Sequence, residues 1–224
     1  MISIIIPTYN EETSISKLLE SLPNGKEVET VVVDGGSSDR TVEMIKTHPV
    51  KLVHSTRNRA LQMNEGAAES SGDIFLFLHA DCILSKTAIE SIRSQLRSEG
   101  IIGGCLTQRI DSNRLIFRVI EASGNVRARL LKIFYGDQAI FVRREAFFEL
   151  NGFDRINLFD DVTFSQKLSR LGKASVLKDK VFASPRRWQS QGVAKTTLIN
   201  WIITAGFMLG VSTHNLKKIY SDVR

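Results

Sequence analysis

The segment with the clearest capacity for chemistry is an apolar run that ends in a polar triplet. Ile74–Leu78 is long enough for a strand buried on both faces and too short for a buried helix. His79, Ala80 and Asp81 follow directly. Ligands of open α/β sheets bind at the carboxyl ends of strands, where a carboxylate beside an imidazole suits a divalent metal that carries a phosphorylated substrate. The alternative is an Asp that caps a helix after a core strand.

Two earlier apolar runs end in the same way. Ser3–Pro7 leads into the polar residues of Pro7–Glu12, and Thr30–Val33 leads into the acidic segment Asp34–Asp39. Parallel strands place their carboxyl ends at one edge of a sheet. We therefore expect both segments to share one cleft with His79–Asp81.

The glycines of this predicted cleft form neither common phosphate-binding motif. Gly35-Gly36 lacks the G-x-G-x-x-G spacing, and no Walker lysine follows it. The cleft offers carboxylates instead, so a nucleoside diphosphate would need a bridging cation to bind there. This is the physical argument for a metal.

The apolar periodicity predicts four strand–helix units in the first hundred residues, and hence an α/β fold with a mainly parallel, helix-covered sheet. Later, it predicts one or two amphipathic helices over 115–133 with an interruption at Gly124, and a helix over 144–150 that follows an apolar run over 139–142. Another helix is predicted to open at Asp160-Asp161 and to run through Leu171. Paired carboxylates at a helix start are partly explained by the helix dipole, so a catalytic and a structural role both remain open.

The charge distribution limits the classes of partner. Residues 1–177 contain 22 basic and 22 acidic side chains, so the whole net charge of +6 lies in residues 178–224. A basic tail fits nucleic acid, an anionic membrane or a phosphorylated ligand. Nucleic acid is not expected, because no binding motif accompanies the charge. The two cysteines and the absence of a signal region favour the cytosol.

The most apolar stretch is Leu198–Val211, whose fourteen residues are too few for a spanning helix of about 20. Lys195 precedes it, Trp201 lies within it, and Lys217 and Lys218 follow it. This pattern fits peripheral binding to an anionic membrane at the inner leaflet. A helix packed on the rest of the protein and a contact in a homo-oligomer are the alternatives.

With these segments in place, the chain resembles the family 2 glycosyltransferases of the GT-A (Rossmann-like) fold. The resemblance rests on Ile4–Glu12, Val32–Asp39 and Leu78–Asp81, followed by Gly152-Phe153 and Asp160-Asp161, in the family's order. Each segment alone is weak evidence, whereas five in sequence are specific. The chain looks most like small single-domain bacterial members that carry Gln-Met-Asn, His-Ala-Asp, Gly-Asp-Gln and Arg-Arg-Trp segments.

The resemblance implies transfer of a sugar with inversion from a nucleoside diphosphate donor, with a UDP-sugar expected, and with Mg²⁺ or Mn²⁺ as cofactor. Asp81 matches the last acid of the family's Asp-x-Asp motif and would hold the metal. Asp161 matches the general base, with Asp160 beside it. Inversion needs one such base to deprotonate the acceptor hydroxyl, together with neutralisation of the departing diphosphate.

The resemblance also assigns the remaining site residues by position. Those expected to contact the nucleotide are Pro7, Thr8, Tyr9, Glu11, Asp34, Arg59, Asn64, His79, Ala80 and Asp81. Those expected near phosphate are Arg186, Arg187 and Trp188, and those of the acceptor region are Gly136, Asp137 and Gln138. Two positions depart from the family pattern: His79 stands where an Asp is frequent, and Asp160 replaces the more usual Glu.

The expected division is a catalytic domain over 1–190, with a nucleotide-binding half (1–105) and an acceptor half (106–190), and an apolar helical tail over 191–224. An acceptor that is lipid-linked or otherwise apolar would suit such a tail. Two rival functions remain. A nucleotidyltransferase typically needs a Gly-rich loop with Arg or Lys near its start, which Pro7–Glu12 lacks. The other rival is a non-catalytic nucleotide-binding or membrane-associated scaffold.

Overall fold

The chain is built on one mixed sheet, and its structure is a computed structural model that describes residues 1–156 and 158–220. The strands are β1 (Ile2–Thr8), β2 (Val28–Asp34), β3 (Lys51–His54), β4 (Ile74–Phe77), β5 (Cys82–Leu84), β6 (Ile101–Ile110), β7 (Ile140–Arg143) and β8 (Lys173–Ala183). Their order across the eight-stranded sheet is β3-β2-β1-β4-β7-β6-β8-β5.

Helices cover this sheet and extend beyond it. They are α1 (Ile15–Ser21), α2 (Thr41–Lys46), α3 (Arg59–Ala68), α4 (Ala88–Arg97), α5 (Leu115–Leu131), α6 (Arg144–Glu149), α7 (Asp160–Leu171), α8 (Arg186–Gln191), α9 (Val193–Met208) and α10 (Thr213–Ile219). A short 3-10 helix occupies Gly136–Gln138.

The first half has the predicted parallel arrangement. β1 pairs in parallel with β2 and with β4, and β2 pairs in parallel with β3. All residues of β1 are buried, as expected for a central strand covered on both faces. Thr8 at the end of β1 pairs with Asp34 at the end of β2, so the polar loops after these strands start at the same edge.

The second half contains strands that the sequence pattern did not predict. β7 is antiparallel to both β4 and β6, whereas β8 is parallel to β6 and antiparallel to β5. β6 was missed because Gly103-Gly104 weakens the strand signal. These glycines are required by close packing, since a Cβ at Gly104 would overlap the Ser175 carbonyl oxygen. β8 was missed because its sequence carries several charged residues.

Two apolar cores lie on the two faces of the sheet. Successive side chains of a strand point to opposite faces, and accordingly Ile4 and Ile6 belong to one core while Ile5 belongs to the other. The second core includes Phe147 and Phe164, which bring α6 and α7 against the sheet. The packing of α7 fixes the position of its first turn, where Asp160 and Asp161 lie.

The predicted helices of the second half form with small differences. The segment expected to hold one or two helices is the single helix α5, with Gly124 inside it and buried. α7 begins at Asp160 and ends at Leu171, as predicted. It starts directly after Phe159, whose backbone is left-handed with φ of 65°.

The C-terminal helices pack on the sheet domain. Ile203 of α9 and Leu216 of α10 form an apolar cluster with Leu158, Phe159 and Val162. The described part of the chain contains no helix with the length and apolar character needed to cross a bilayer. Residues 221–224 of the predicted tail lie outside the described residues.

Candidate active site

A cavity of about 420 Å³ opens at the carboxyl edge of the sheet, between α5 and α9. The predicted site residues that line it come from six separate segments. They are Pro7, Glu11, Arg59, His79, Ala80, Asp81, Gly136, Asp137, Asp161, Arg186, Arg187 and Trp188. The fold therefore brings most of the predicted residues to one place, although they are spread over 182 positions of the chain.

Asp81 follows β4 on the wall of the cavity that also holds Arg186. Its Oδ2 lies 3.9 Å from Arg186 Nη2, and its side chain is partly exposed. The same guanidinium donates from Nη2 to both carboxylate oxygens of Glu11, at 2.8 and 3.0 Å. Arg186 thus joins the loop after β1 to the start of α8, and it lies beside the carboxylate expected to hold a metal.

Asp161 lies at another wall of the cavity, in the first turn of α7. Its Oδ2 accepts a hydrogen bond of 2.7 Å from the Gly136 backbone N–H, and its Oδ1 accepts one of 2.8 Å from the Val162 N–H. Burial is the main cause that raises the pKa of Asp161, and the neighbouring Asp160 carboxylate raises it further. The positive charge of Arg59 opposes this shift, since its Nη2 lies 3.5 Å from Asp161 Oδ2.

Asp160 does not line the cavity, because its carboxylate is buried against Arg59. Arg59 Nε donates to Asp160 Oδ2 at 3.0 Å, and Arg59 Nη2 donates to Asp160 Oδ1. The Asp160 side chain is almost fully buried. In the structure it anchors Arg59 beside Asp161, and its expected role in catalysis stays a prediction.

The 3-10 helix carries the predicted acceptor residues in two different environments. Gln138 is fully buried, and its Oε1 accepts from Arg127 Nη2 at 3.0 Å and from the Tyr135 N–H at 3.1 Å. It therefore shapes the turn without facing the cavity. Gly136 does face the cavity, where a Cβ at this position would overlap the His79 ring.

Asp137 faces the cavity with a carboxyl group that is only partly satisfied. Gln108 Nε2 donates to its Oδ2, whereas Oδ1 is buried and has no hydrogen-bond partner among the described residues. Burial raises the pKa of Asp137 to about 6, with the Asp161 and Asp81 charges adding to the effect and Arg127 opposing it. A carboxylate with a buried, unsatisfied oxygen and a raised pKa is typical of a ligand-binding or catalytic site.

Several predicted nucleotide contacts lie outside the lining of the cavity. The Thr8 hydroxyl donates to the Ile6 carbonyl, and the Tyr9 ring is covered by the Arg57 guanidinium at 4.1 Å. The Asp34 carboxylate accepts from the Gly36 and Ser37 N–H groups, each at 3.0 Å, and thereby closes its own loop. The roles of these residues at a base and ribose stay predictions.

Asn64 lies outside the lining of the cavity, and its expected approach to the donor stays a prediction. Its Nδ2 donates to the Phe153 carbonyl, and its Oδ1 accepts from the Phe153 N–H, both at 2.9 Å. Both polar groups of the amide are thus used to hold the turn after α6. Sequence position alone could not show this, because the partner lies 89 residues away.

The cavity also contains residues that the sequence interpretation did not single out. Gln108 comes from the missed strand β6, and Thr197, Asn200 and Thr204 come from α9. The last three recur at helical spacing through the otherwise apolar tail, and this polar stripe is the signal that could have found them.

Whether the cavity can hold the divalent metal that the fold implies depends on the side chains that could ligate it. The described residues contain no group of three or more His, Cys, Asp or Glu side chains arranged to hold a metal ion. Mg²⁺, however, is usually bound by one or two carboxylates together with substrate phosphates and water. Asp81, beside a cavity that also contains the orphaned Asp137 Oδ1, fits a metal of that kind, which arrives with a diphosphate.

Comparison with known proteins identifies the type of fold and the family. Residues 3–162 match the family model described as Glycosyl transferase family 2. The chain is 38% identical to a dolichol-phosphate mannosyltransferase of Pyrococcus furiosus over 89 residues, which cover 36% of this chain and 25% of that protein. It is 28% identical over 168 residues to a Methanococcus voltae dolichyl N-acetyl-alpha-D-glucosaminyl phosphate 3-beta-D-2,3-diacetamido-2,3-dideoxy-beta-D-glucuronosyltransferase, covering 66% of this chain and 49% of that protein.

Solved structures share the fold at lower identity. S. aureus TarS residues 1–349, solved in complex with UDP-GlcNAc, superpose with a TM-score of 0.63 at 21% identity, covering 82% of this chain and 58% of that one. The mannosyltransferase PcManGT of Pyrobaculum calidifontis, solved with GDP-Man and Mn²⁺, gives 0.65 at 23% identity, covering 80% and 56%. The present chain thus spans a quarter to about three fifths of these relatives.

Proposed function

Because the chain belongs to glycosyl transferase family 2, we propose that it transfers a sugar, with inversion, from a nucleoside diphosphate sugar to an acceptor hydroxyl. The observation that carries the proposal is the division of the cavity between two kinds of group. Asp161, a carboxylate with a raised pKa, lies on one wall, and Asp81 and Arg186 lie together on another. A base and a diphosphate-binding pair are what an inverting transfer requires.

Asp161 is the proposed general base. Its two oxygens are held by backbone N–H groups of Gly136 and Val162, so the carboxylate is fixed in orientation before the acceptor arrives. A pKa above the ordinary value strengthens a carboxylate as a proton acceptor near neutral pH. Asp161 would take the proton of the acceptor hydroxyl as that oxygen attacks the anomeric carbon of the sugar.

Arg186 and a metal held by Asp81 are proposed to neutralise the charge of the departing diphosphate. Arg186 supplies a guanidinium that can bind two phosphate oxygens at once. Asp81 would hold Mg²⁺ or Mn²⁺, and the metal, when bound, neutralises charge on the leaving group. Support for this metal comes from the P. calidifontis mannosyltransferase, which was solved with Mn²⁺ and GDP-Man.

The donor is proposed to be a UDP-sugar. Support comes from the similar fold of TarS, solved with UDP-GlcNAc, and from a mycobacterial glucosyl-3-phosphoglycerate synthase solved with UDP and Mn²⁺. GDP-sugars are the competing class, because the mannosyltransferase of the same fold was solved with GDP-Man. A thermal-shift screen over UDP-, GDP- and TDP-sugars with Mn²⁺ separates these donors.

The acceptor is proposed to be lipid-linked or otherwise apolar, with the protein acting at the cytoplasmic face of a membrane. Leu158, Phe159 and Ile203 line one side of the cavity and offer an apolar surface to such a molecule. The relative from P. furiosus is named for a dolichol-phosphate acceptor. The alternative to membrane binding is that the apolar tail forms a contact between two copies of the chain.

The decisive experiment measures donor hydrolysis and donor binding in the same preparations. We expect Asp161→Asn to lower turnover by about 10²- to 10⁴-fold while the Kd for the donor changes by less than about threefold. Asp111→Asn is the matched control, since it makes the same chemical change at an exposed residue outside the cavity. Donor binding without turnover in the unmodified protein would favour a scaffold. Conversion of the donor and added pyrophosphate into a nucleoside triphosphate and a sugar 1-phosphate would favour a nucleotidyltransferase.

A further inference from the structure

Helix α9 has apolar side chains on its outer side as well as on the side that packs on the protein, where Ile203 is buried. Its large exposed apolar side chains are Leu198, Trp201, Ile202 and Met208, and Leu209 directly after the helix is 84% exposed. Its uncharged polar residues face the protein: Thr196 is fully buried, and Thr197, Asn200 and Thr204 line the cavity. A helix on a water-exposed surface ordinarily buries its apolar face. The exposed apolar residues of α9 therefore indicate a surface that binds another apolar surface.

Helix α5, outside the tail, also has an exposed apolar side, in addition to Phe117 and Ala128, which are buried on its inner side. Leu115, Val119, Val126 and Leu130 recur at helical spacing on its exposed side, with Leu115 82% and Leu130 75% exposed. Its buried side carries Glu121 and Asn125. Glu121 accepts from the Ile110 N–H, and Asn125 exchanges two hydrogen bonds with the Gln108 backbone, so the polar groups are satisfied inside. The outward apolar face of α5 is left without a partner among the described residues.

Helices α5 and α9 flank the same cavity. One contact near each end of α5 links it, directly or through neighbouring residues, to the segment that contains α9. Phe117 of α5 packs edge-to-face on Trp188, with ring centroids 5.9 Å apart, just before α9 begins. Beyond the other end of α5, the Tyr135 hydroxyl lies 2.9 Å from Thr204 Oγ1 of α9. The outward apolar residues of α5 and α9, together with Leu209 directly after α9, are named here the α5–α9 surface: Leu115, Val119, Val126, Leu130, Leu198, Ile202, Met208 and Leu209.

The charges near the α5–α9 surface are predominantly positive. Residues 186–220 contain five Lys and Arg residues and no Asp or Glu. The only acid of α5, Glu121, is buried and paired with Arg118 at 2.9 Å, whereas Arg114 and Arg129 are exposed beside the apolar residues. Asp111, before α5, is an exposed acid, but the cations near the two helices outnumber it. An exposed apolar face with an excess of cations at its border complements an anionic lipid surface. A soluble partner would need a matching apolar patch rich in acids.

We propose that the α5–α9 surface docks on an anionic lipid bilayer and places the mouth of the cavity at the membrane. The 16 residues of α9 span about 24 Å, less than the hydrocarbon core of about 30 Å, so the helix lies along the interface. The inference deepens the proposed function, on which its meaning rests, by making α5 a second docking element in addition to the tail. An acceptor carried by a lipid would then reach Asp161 without leaving the membrane.

The test measures sedimentation of the full chain with vesicles of neutral phosphatidylcholine and with vesicles that contain 30 mol% phosphatidylglycerol. We expect binding to the anionic vesicles that weakens at high salt, and at least tenfold weaker binding to neutral ones. Val119→Glu on α5 and Leu198→Glu on α9 are each expected to weaken binding by tenfold or more. Ser94→Glu, at an exposed position of α4, adds the same charge elsewhere and should bind as the unmodified protein does.

Three results would overturn the proposal. The first is no binding of the unmodified protein to anionic vesicles at low salt. The second is unchanged binding of Val119→Glu, which would remove α5 from the docking surface. The third is a dimer in light scattering that Val119→Glu dissociates without any vesicle binding, which would assign the surface to a second copy. None of these results depends on the donor, whose thermal shift in the same variants separately reports on the proposed function.

Discussion

Arg59 and Asp160 form a two-pronged ion pair across 101 positions of the chain. The pair places the Arg59 guanidinium 3.5 Å from Asp161, at the wall of the cavity where the proposed base lies. Without a neighbouring cation, two adjacent buried carboxylates would each raise the pKa of the other. Asp160 therefore contributes indirectly, because it holds the charge that keeps Asp161 ionisable.

Replacement of Arg59 by Gln should affect both stability and the pH dependence of turnover. Loss of the cation leaves Asp160 buried without its partner and should lower the free energy of unfolding by about 2–4 kcal/mol. It should also raise the pKa of Asp161 further, because Arg59 opposes the effect of burial. Since the base must be ionised, the acid limb of the kcat profile should move to higher pH.

The control for this change is Arg97→Gln, in the last turn of α4 and outside the cavity. It should leave the stability and the acid limb unchanged. A stable Arg59→Gln protein whose acid limb stays in place would show that Arg59 does not tune Asp161.

Arg186 should contribute to diphosphate binding and not to binding of the nucleoside. Charge-assisted hydrogen bonds contribute roughly 1.5–3 kcal/mol each. Arg186→Gln should therefore weaken binding of the preferred nucleoside diphosphate by at least tenfold, as measured by calorimetry with Mn²⁺, while the Kd of the nucleoside stays the same. Arg97→Gln, at an exposed position of α4 outside the cavity, is the matched control and should leave both affinities unchanged. Equal losses for nucleoside and diphosphate would contradict this assignment.

We expect the ionised Asp137 carboxylate to lower the free energy of unfolding at neutral pH. Its pKa in the folded protein is about 6, whereas the ordinary value is 3.8, so the ionised form is disfavoured by up to about 3 kcal/mol. The folded state binds this proton more tightly than the unfolded state, so the cost is fully present above pH 6 and fades toward pH 4. Asp137→Asn should thus raise the free energy of unfolding by about 1–3 kcal/mol at pH 7.5.

The gain from Asp137→Asn should be roughly halved at pH 5, which denaturant unfolding at the two pH values would measure. The same variant should lose turnover, because the cavity loses a carboxylate that lies near both Asp81 and Asp161. An identical gain in stability at both pH values would show that the effect does not come from ionisation of Asp137.

We expect Asn64 to contribute to the stability of the fold and not to the affinity for the donor. Asn64→Ala removes both hydrogen bonds to Phe153 and leaves the turn after α6 unsupported. We expect a loss of about 1–3 kcal/mol in the free energy of unfolding and no change in the Kd for the donor. A selective loss of donor affinity in a stable protein would restore the position first predicted for Asn64.

The spacing of apolar and polar residues in the sequence was sufficient to predict the parallel strands of the first half of the fold and helix α7. The runs that became β1, β2 and β4 are uniformly apolar because parallel central strands are covered on both faces, and each ends in a polar loop. Parallel pairing then requires these loops to meet at one edge. The carboxylates Asp81 and Asp161 were also identifiable from the sequence, through their motifs.

Tertiary structure alone decided the partners of those carboxylates and the orientation of the later helices. The contacts of Arg59 with Asp160 and of Asn64 with Phe153 join residues about 90–100 positions apart, and no periodicity reports on such pairs. The same holds for α5 and α9, because their apolar residues lie on more than one side of each helix and the sequence does not show which of them are buried. Burial of Glu121, Asn125 and Thr196 depends on hydrogen bonds and packing that only the assembled chain provides, and it leaves other, apolar side chains of both helices exposed.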